Sequence, residues 1–164
     1  MRIINYIILS CFFIIFIFFN SCSGYEPIFN PTKLNFKISN YSIVGDKRLA
    51  NQLYSKISKS TQKTKNQKNP YNFNIFINIS KNKEATVKST TGKILEYRIS
   101  LNTNFKVNDA FTGEEFINTQ LPYSTSYKVQ DKHFDTIKTE SKTVENLMEK
   151  TFQEILIKIS EITK

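Results

Sequence analysis

The sequence predicts an α+β domain: a four-stranded, mostly antiparallel sheet with two helices packed on one face, in the order β-α-β-β-β-α. Three observations lead there. Four stretches alternate apolar and polar residues with the period of two of a half-buried strand, most cleanly in ILEYRISLNTNFKVND, residues 94–109. Two others space their apolar residues three or four apart, as one stripe of a helix does. Each strand is apolar on one side and each helix along one stripe, so two helices laid on one sheet face bury all of it.

Taken in order, LNFKISNYSIV, residues 34–44, sets Leu34, Phe36 and Ile38 against Asn35, Lys37 and Ser39 as a first strand. Gly45 and Asp46 punctuate it, and Asp46 suits a helix N-cap. DKRLANQLYSKISKS then steps Leu49, Leu53 and Ile57 by four, with Ala50 and Tyr54 beside them, as a helix of about four turns. A polar loop, TQKTKNQKNP, ends at Pro70. The second strand, YNFNIFINIS, puts Phe73, Ile75, Ile77 and Ile79 on one face and Asn74, Phe76 and Asn78 on a half-wet one. Residues 81–93, KNKEATVKSTTGK, read either as a continuation of that strand or as a long polar hairpin tip.

In the third strand Leu95, Tyr97, Ile99, Leu101, Phe105 and Val107 share the side meant for burial, against Glu96, Arg98, Ser100, Asn102, Asn104 and Lys106. DAFTGEE turns at Gly113, and EFINTQLPYSTSYKV returns as a fourth strand, where Pro122 requires a bulge or an edge. From about 134 to 162 the chain is helical. Val144, Met148, Phe152, Ile155, Ile159 and Ile162 form its stripe, Leu147 and Leu156 widen it, and Glu154 and Lys158 make an i,i+4 pair.

The 164 residues suffice for one domain. Residues 3–19, IINYIILSCFFIIFIFF, carry no charge and follow Arg2. That length falls between a signal h-region and a membrane anchor of about 20 residues, and leaves both open. Cys22 stands at the end of the run, before SGYEPIFNPTK, which reads as an extended tether. We divide the chain into a lipoprotein signal peptide, 1–21, a lipidated tether, 22–33, and a folded domain, 34–164. Removing residues 1–21 takes one of 23 basic residues and none of 14 acids, leaving +8, which suits an anionic partner. The only other cysteine, Cys11, lies in the apolar run, so the domain has no disulfide and no thiolate metal site.

Catalytic chemistry finds little footing. His133 is the single histidine and reads as a surface or cap residue; Glu114 and Glu115 sit beside Gly113 as solvated turn carboxylates. No GxSxG, P-loop, GxGxxG or HExxH pattern occurs, so we expect no enzyme, no cofactor and no metal. Tyr97 and Phe105 lie on the apolar face, which argues against a nucleic-acid surface. Binding remains. Lys88 and Lys93 flank the expected hairpin tip, and Lys128, Lys132 and Lys138 surround the start of the last helix, where ammonium groups would meet phosphates.

The seam at Cys22 resembles the bacterial lipobox: Ser21 fits the position before the lipidated cysteine, and Phe19 and Asn20 depart from the usual pattern. CSGYEPIF resembles the Cys-Gly-aromatic-x-Pro-Leu-Tyr opening of the lipopolysaccharide-assembly lipoprotein family LptE, with Ser23 inserted before Gly24. IVGDKRLANQLYSKI resembles that family's first helix, LEYRISLNTNFKV its long third strand, and DAFTGEEFINTQLPYSTSY its turn and fourth strand. The resemblance implies an outer-membrane lipoprotein, lipid-anchored on the periplasmic side through Cys22. It also implies an LptD-like β-barrel that the domain partners and plugs, and lipopolysaccharide as ligand. The family holds that ligand through basic residues near the tip and near the start of the last helix, where Lys88, Lys93, Lys132 and Lys138 stand. The other expectation is an uncleaved, inner-membrane-anchored periplasmic scaffolding or binding domain unrelated to lipopolysaccharide export.

Overall fold

Six elements follow one another in the expected order: β1 (Phe36–Gly45), α1 (Lys47–Gln62), β2 (Tyr71–Lys88), β3 (Ile94–Asp109), β4 (Glu115–Lys128) and α2 (His133–Ile162). The computed structural model describes residues 34–62 and 70–163, all within the unit Pro31–Lys164. The signal segment, the tether and Cys22 lie outside the described residues. The strands are ordered β1-β2-β3-β4. α1 carries the chain back before β2 begins, so β1 and β2 are parallel, while the two hairpins that follow are antiparallel. The sheet is therefore mixed and mostly antiparallel.

Register turns alternation into a core. Ile75 lies opposite Val107 and Val107 opposite Ile117; Ile77 opposes Phe105; Ile79 opposes Thr103 and Thr103 Leu121. All are buried, beneath Leu49, Ala50, Leu53 and Ile57 of α1 and Val144, Leu147, Met148, Ile155, Leu156 and Ile159 of α2. The other sheet face carries Asn74, Phe76, Asn78 and Asn104, half-buried, beside exposed Asn102 and Gln120, and neither helix covers it. β4 is an edge strand, and Pro122 faces Asn102 there without a register shift.

Three details depart from simple alternation. β1 gains a residue at Ser39, where its register against β2 shifts. The extra residue reverses the parity of the strand, so Leu34 and Phe36 before it, and Tyr41 and Ile43 after it, serve the helix side. Tyr41 then stacks on Tyr54 of α1 with ring centres 4.0 Å apart. Second, β2 continues through Lys88, so residues 81–88 are strand and the tip is confined to residues 89–93. Third, Leu95 was expected on the buried side but is 43% exposed, and Tyr97 is only half-buried. β1 ends at Gly45, opposite Ile79, and α1 starts just beyond it, so the upper part of the β2–β3 hairpin has only the start of α2 above it. Thr103, a polar residue in the apolar series, is 1% exposed, and its hydroxyl finds no partner among the described residues.

Gly45 makes the turn from β1 into α1 at φ 81°, and a Cβ there would collide with the carbonyl of Ile79. That carbonyl accepts the Asp46 amide at 2.7 Å, and Asp46 Oδ1 caps α1 by accepting the Leu49 amide at 3.1 Å.

The odd phase of Ile75–Ile79 runs on through Lys81 and Lys83, so both reach the helix side. Lys83 Nζ donates to Glu140 Oε2 of α2 at 2.5 Å and lies 4.2 Å from the centre of the Tyr97 ring. Tyr127 of β4 donates to the same oxygen at 2.9 Å, and Lys81 lies 3.8 Å from Oε1. One carboxylate thus ties α2 to β2 and β4. Partial burial pushes the Glu140 carboxyl up, but the hydrogen bonds from Lys83 and Tyr127 outweigh it and hold it below the usual carboxylate range.

Leu101→Asp should unfold the domain, because an unpaired carboxylate would be buried in the core, whereas Asn102→Asp on the open face should leave the melting temperature nearly unchanged. Thr103→Val, which keeps the shape and removes an unpaired buried hydroxyl, should stabilise by about 1 kcal/mol in urea denaturation. Because the Glu140 carboxyl is depressed in the fold, its contribution is present above the unfolded-state value of about 4.3 and is lost as pH falls through the lower folded value. Glu140→Gln should cost about 1 kcal/mol at pH 7 and flatten the loss of stability on acidification.

Candidate functional site

The upper end of the sheet gathers the lysines singled out by the sequence. The hairpin tip closes through Ser89, whose amide donates to the Lys93 carbonyl at 2.8 Å and whose Oγ accepts the Lys93 amide at 3.1 Å. Gly92 turns the chain there at φ 83°. Lys88 pairs in register with Ile94, so Lys88 and Lys93 flank the closed tip. β4 arrives at the same end, with Lys128 opposite Glu96, and the Val129 amide then donates to Leu95 at 2.9 Å. Four residues after Lys128, Lys132 opens α2, and Lys138 follows six residues on, about 9 Å along the helix.

All five lysines are exposed, and among the described residues none of them lies in an ion pair. Lys132 occupies the N-cap of α2 with extended backbone and makes no capping bond. Its ammonium cannot accept an amide, and its charge opposes the positive end of the helix dipole. The Thr136 hydroxyl instead accepts the Gln130 amide at 2.9 Å, fixing how the chain enters the helix. Val87, Leu95, Phe134 and Ile137 are exposed at this same end, Phe134 by 73%. The combination of unpaired ammonium groups and uncovered apolar side chains suits an amphipathic anion.

A concavity of about 660 Å³ lies between α1 and α2. Arg48, Lys56, Lys59 and Lys81 line it together with Glu140 and Glu145, over Val144 and Met148. Within it Lys81 faces Glu140, and Lys56 donates outward to Glu149 at 2.6 Å, whereas Arg48 and Lys59 lie in no ion pair among the described residues. Two carboxylates, Glu140 and Glu145, stand among its cations, whereas all five lysines of the upper end are free of ion pairs among the described residues, which favours the upper end for an anion.

The groups weighed for catalysis do not converge. His133 is exposed at the first position of α2, while Glu114 in the β3–β4 turn and Glu115 at the start of β4 are exposed at the opposite end, about 40 Å away along the strands. Among the described residues no three histidine, cysteine or acidic side chains are placed to share a metal ion, and no helix is long and apolar enough to cross a membrane. What the sequence reading missed was the Lys83–Glu140–Tyr127 tie that seats α2 beside the lysines. Its signal was the continued odd phase through Lys81 and Lys83.

No family model matches the chain, and no curated protein matches it. Solved structures do. The fold is similar to rare lipoprotein B from Shewanella oneidensis, at 12% identity over 75% of this chain and 95% of that one, with a TM-score of 0.56. It is similar to an uncharacterized lipoprotein B from Nitrosomonas europaea, at 17% identity over 85% and 92% of the two chains, with a TM-score of 0.57. A minor lipoprotein from Acinetobacter baumannii aligns at 15% identity over 77% and 93%, with a TM-score of 0.51. The chain shares one α+β fold with these bacterial lipoproteins.

Proposed function

We propose that this chain is a non-catalytic envelope lipoprotein of LptE type. It is acylated at Cys22, anchored on the periplasmic side of the outer membrane, and acts as partner and plug of an LptD-like β-barrel in lipopolysaccharide transport. The observation that carries this reading is the likeness of the domain to three bacterial lipoproteins over 92–95% of their lengths. Two features support it. A cysteine stands at the end of the uncharged run, where lipid would be attached. The unpaired lysines Lys88, Lys93, Lys132 and Lys138 gather at one end, where they would contact lipid phosphates as charge-assisted hydrogen bonds.

The second reading, an uncut inner-membrane anchor, draws on Phe19 and Asn20, which depart from the lipobox. The mass of the native N-terminus separates the two. A diacyl or triacyl adduct on Cys22 with residues 1–21 missing is expected, and an intact Met1 would sink the first reading. The acylated protein should co-purify with a large outer-membrane barrel in mild detergent. Changing Lys88, Lys93, Lys132 and Lys138 together to Glu should weaken retention on immobilised lipopolysaccharide about tenfold or more while leaving the circular dichroism unchanged.

A further inference from the structure

The sheet face that neither helix covers is lined by side-chain amides, and register sets them in ranks across the strands. In one rank Asn78 lies opposite Asn104, and Asn104 opposite Gln120. In the next Ser80 faces Asn102, which faces Pro122; in a third Asn82 faces Ser100, which faces Ser124. Asn74 and Phe76 extend the same side of β2 downward, so from Asn74 to Asn82 the face runs about 27 Å along the strand.

Amides at its lower margin are engaged. Asn72 donates to the Pro70 carbonyl at 3.3 Å, Asn108 to the Gly113 carbonyl at 3.2 Å, and Asn118 to Glu115 at 3.1 Å. Those farther up are free: among the described residues the side chains of Asn74, Asn78, Asn82, Asn102, Asn104 and Gln120 make no hydrogen bond. The three central ranks hold no charged side chain. Around them the charges answer one another, Arg98 lying 3.7 Å from Glu84 and Lys106 4.0 Å from Glu115.

Such an array selects a ligand by hydrogen bonding and not by charge. Each amide offers a donor and an acceptor side by side, which matches a pair of adjacent hydroxyls; a carboxylate only accepts and an ammonium only donates. The amides recur from strand to strand at about 4.8 Å, with Phe76 and Pro122 between them as apolar ground for the C–H faces of sugar rings. Repeated, uncharged donor–acceptor pairs are the chemistry of a saccharide.

The upper limit of the face says which saccharide. Lys88 lies opposite Ile94 and Lys128 opposite Glu96, in the same even series of β3 as Asn102 and Asn104, so two of the unpaired lysines belong to this side of the sheet. A molecule with phosphates at one end and neutral sugars beyond them would find charge matched to charge at the lysines and neutral hydroxyls matched to neutral amides below.

We propose that the uncovered face of β2, β3 and β4 binds the neutral saccharide of the same glycolipid whose phosphates meet the lysines, with Asn78, Asn102, Asn104 and Gln120 as its hydrogen-bonding groups. The proposal rests on the lipopolysaccharide reading and gives that ligand a second contact.

The test uses the full acylated chain in detergent micelles, isotopically labelled on nitrogen, so that side-chain amide resonances report on the face directly. Three probes are added separately: lipid A, the oligosaccharide released from lipopolysaccharide by mild acid and freed of phosphate, and glycan strands of peptidoglycan. The oligosaccharide should shift the amide resonances of Asn78, Asn102, Asn104 and Gln120 and leave the backbone at Lys93 and Lys132 unmoved; lipid A should do the reverse. Asn102→Thr, Asn104→Thr and Gln120→Thr combined keep strand-forming side chains and should weaken oligosaccharide binding about tenfold, with lipid A binding and circular dichroism unchanged. The wild-type shifts decide the matter whether or not that variant folds. Lipid A binding at the lysines without any amide shift by the oligosaccharide would overturn the saccharide site and leave the proposed function intact. Equal oligosaccharide affinity in the folded triple variant would overturn it as well. Shifts by peptidoglycan strands and none by the oligosaccharide would overturn the choice of glycolipid. If neither lipid A nor intact lipopolysaccharide binds anywhere, the proposed ligand and this site fall together.

Discussion

Parity along β2 is the constraint on which the rest of this structure depends. Its odd residues, Phe73 to Ile79, face both helices and meet odd residues of β3 and β4 across the ladder. A slip of one residue would exchange Ile75, Ile77 and Ile79 for Asn74, Phe76 and Asn78 beneath α1 and α2, so register is enforced by burial. The same phase, carried past the end of β1, delivers Lys81 and Lys83 to the helix side, where Glu140 meets them. The core and the seat of α2 are thus products of one alternation, continued beyond the point where apolar residues supply it.

Much of this was legible from residue order because strands and helices here obey their own periods. The stripes of α1 and α2, the Asp46 cap and the element order follow from local chemistry, and the structure realises them. The exceptions share a cause. Leu95 keeps the correct phase but lies above the level where β1 and α1 stop, and no local pattern reports where a neighbouring element ends. The extra residue at Ser39 leaves no mark in composition, yet it decides which half of β1 faces the helices. Thr103 is buried by position although its hydroxyl is a poor occupant.

The functional surfaces were less legible than the core. Lysines near a tip and near a helix start can be named from the sequence; that they occupy one end follows only from β4 returning to Leu95. The acidic turn looked like ordinary solvated carboxylates, and its position beside Asn35 and Tyr71 depends on pairing between residues far apart in the chain. The five lysines thus share one end of the sheet, and Glu114 and Glu115 lie at the other.

The parallel β1–β2 pair has a mechanical consequence. Tension applied through residue 34 acts along the axis of β1, while a load borne at the hairpin tip acts on β2 in the opposite sense. Bonds between the two strands, from Phe36 to Gly45, then resist together in shear and are not peeled one at a time. A pull between residue 34 and the hairpin tip would therefore load the β1–β2 pair lengthwise.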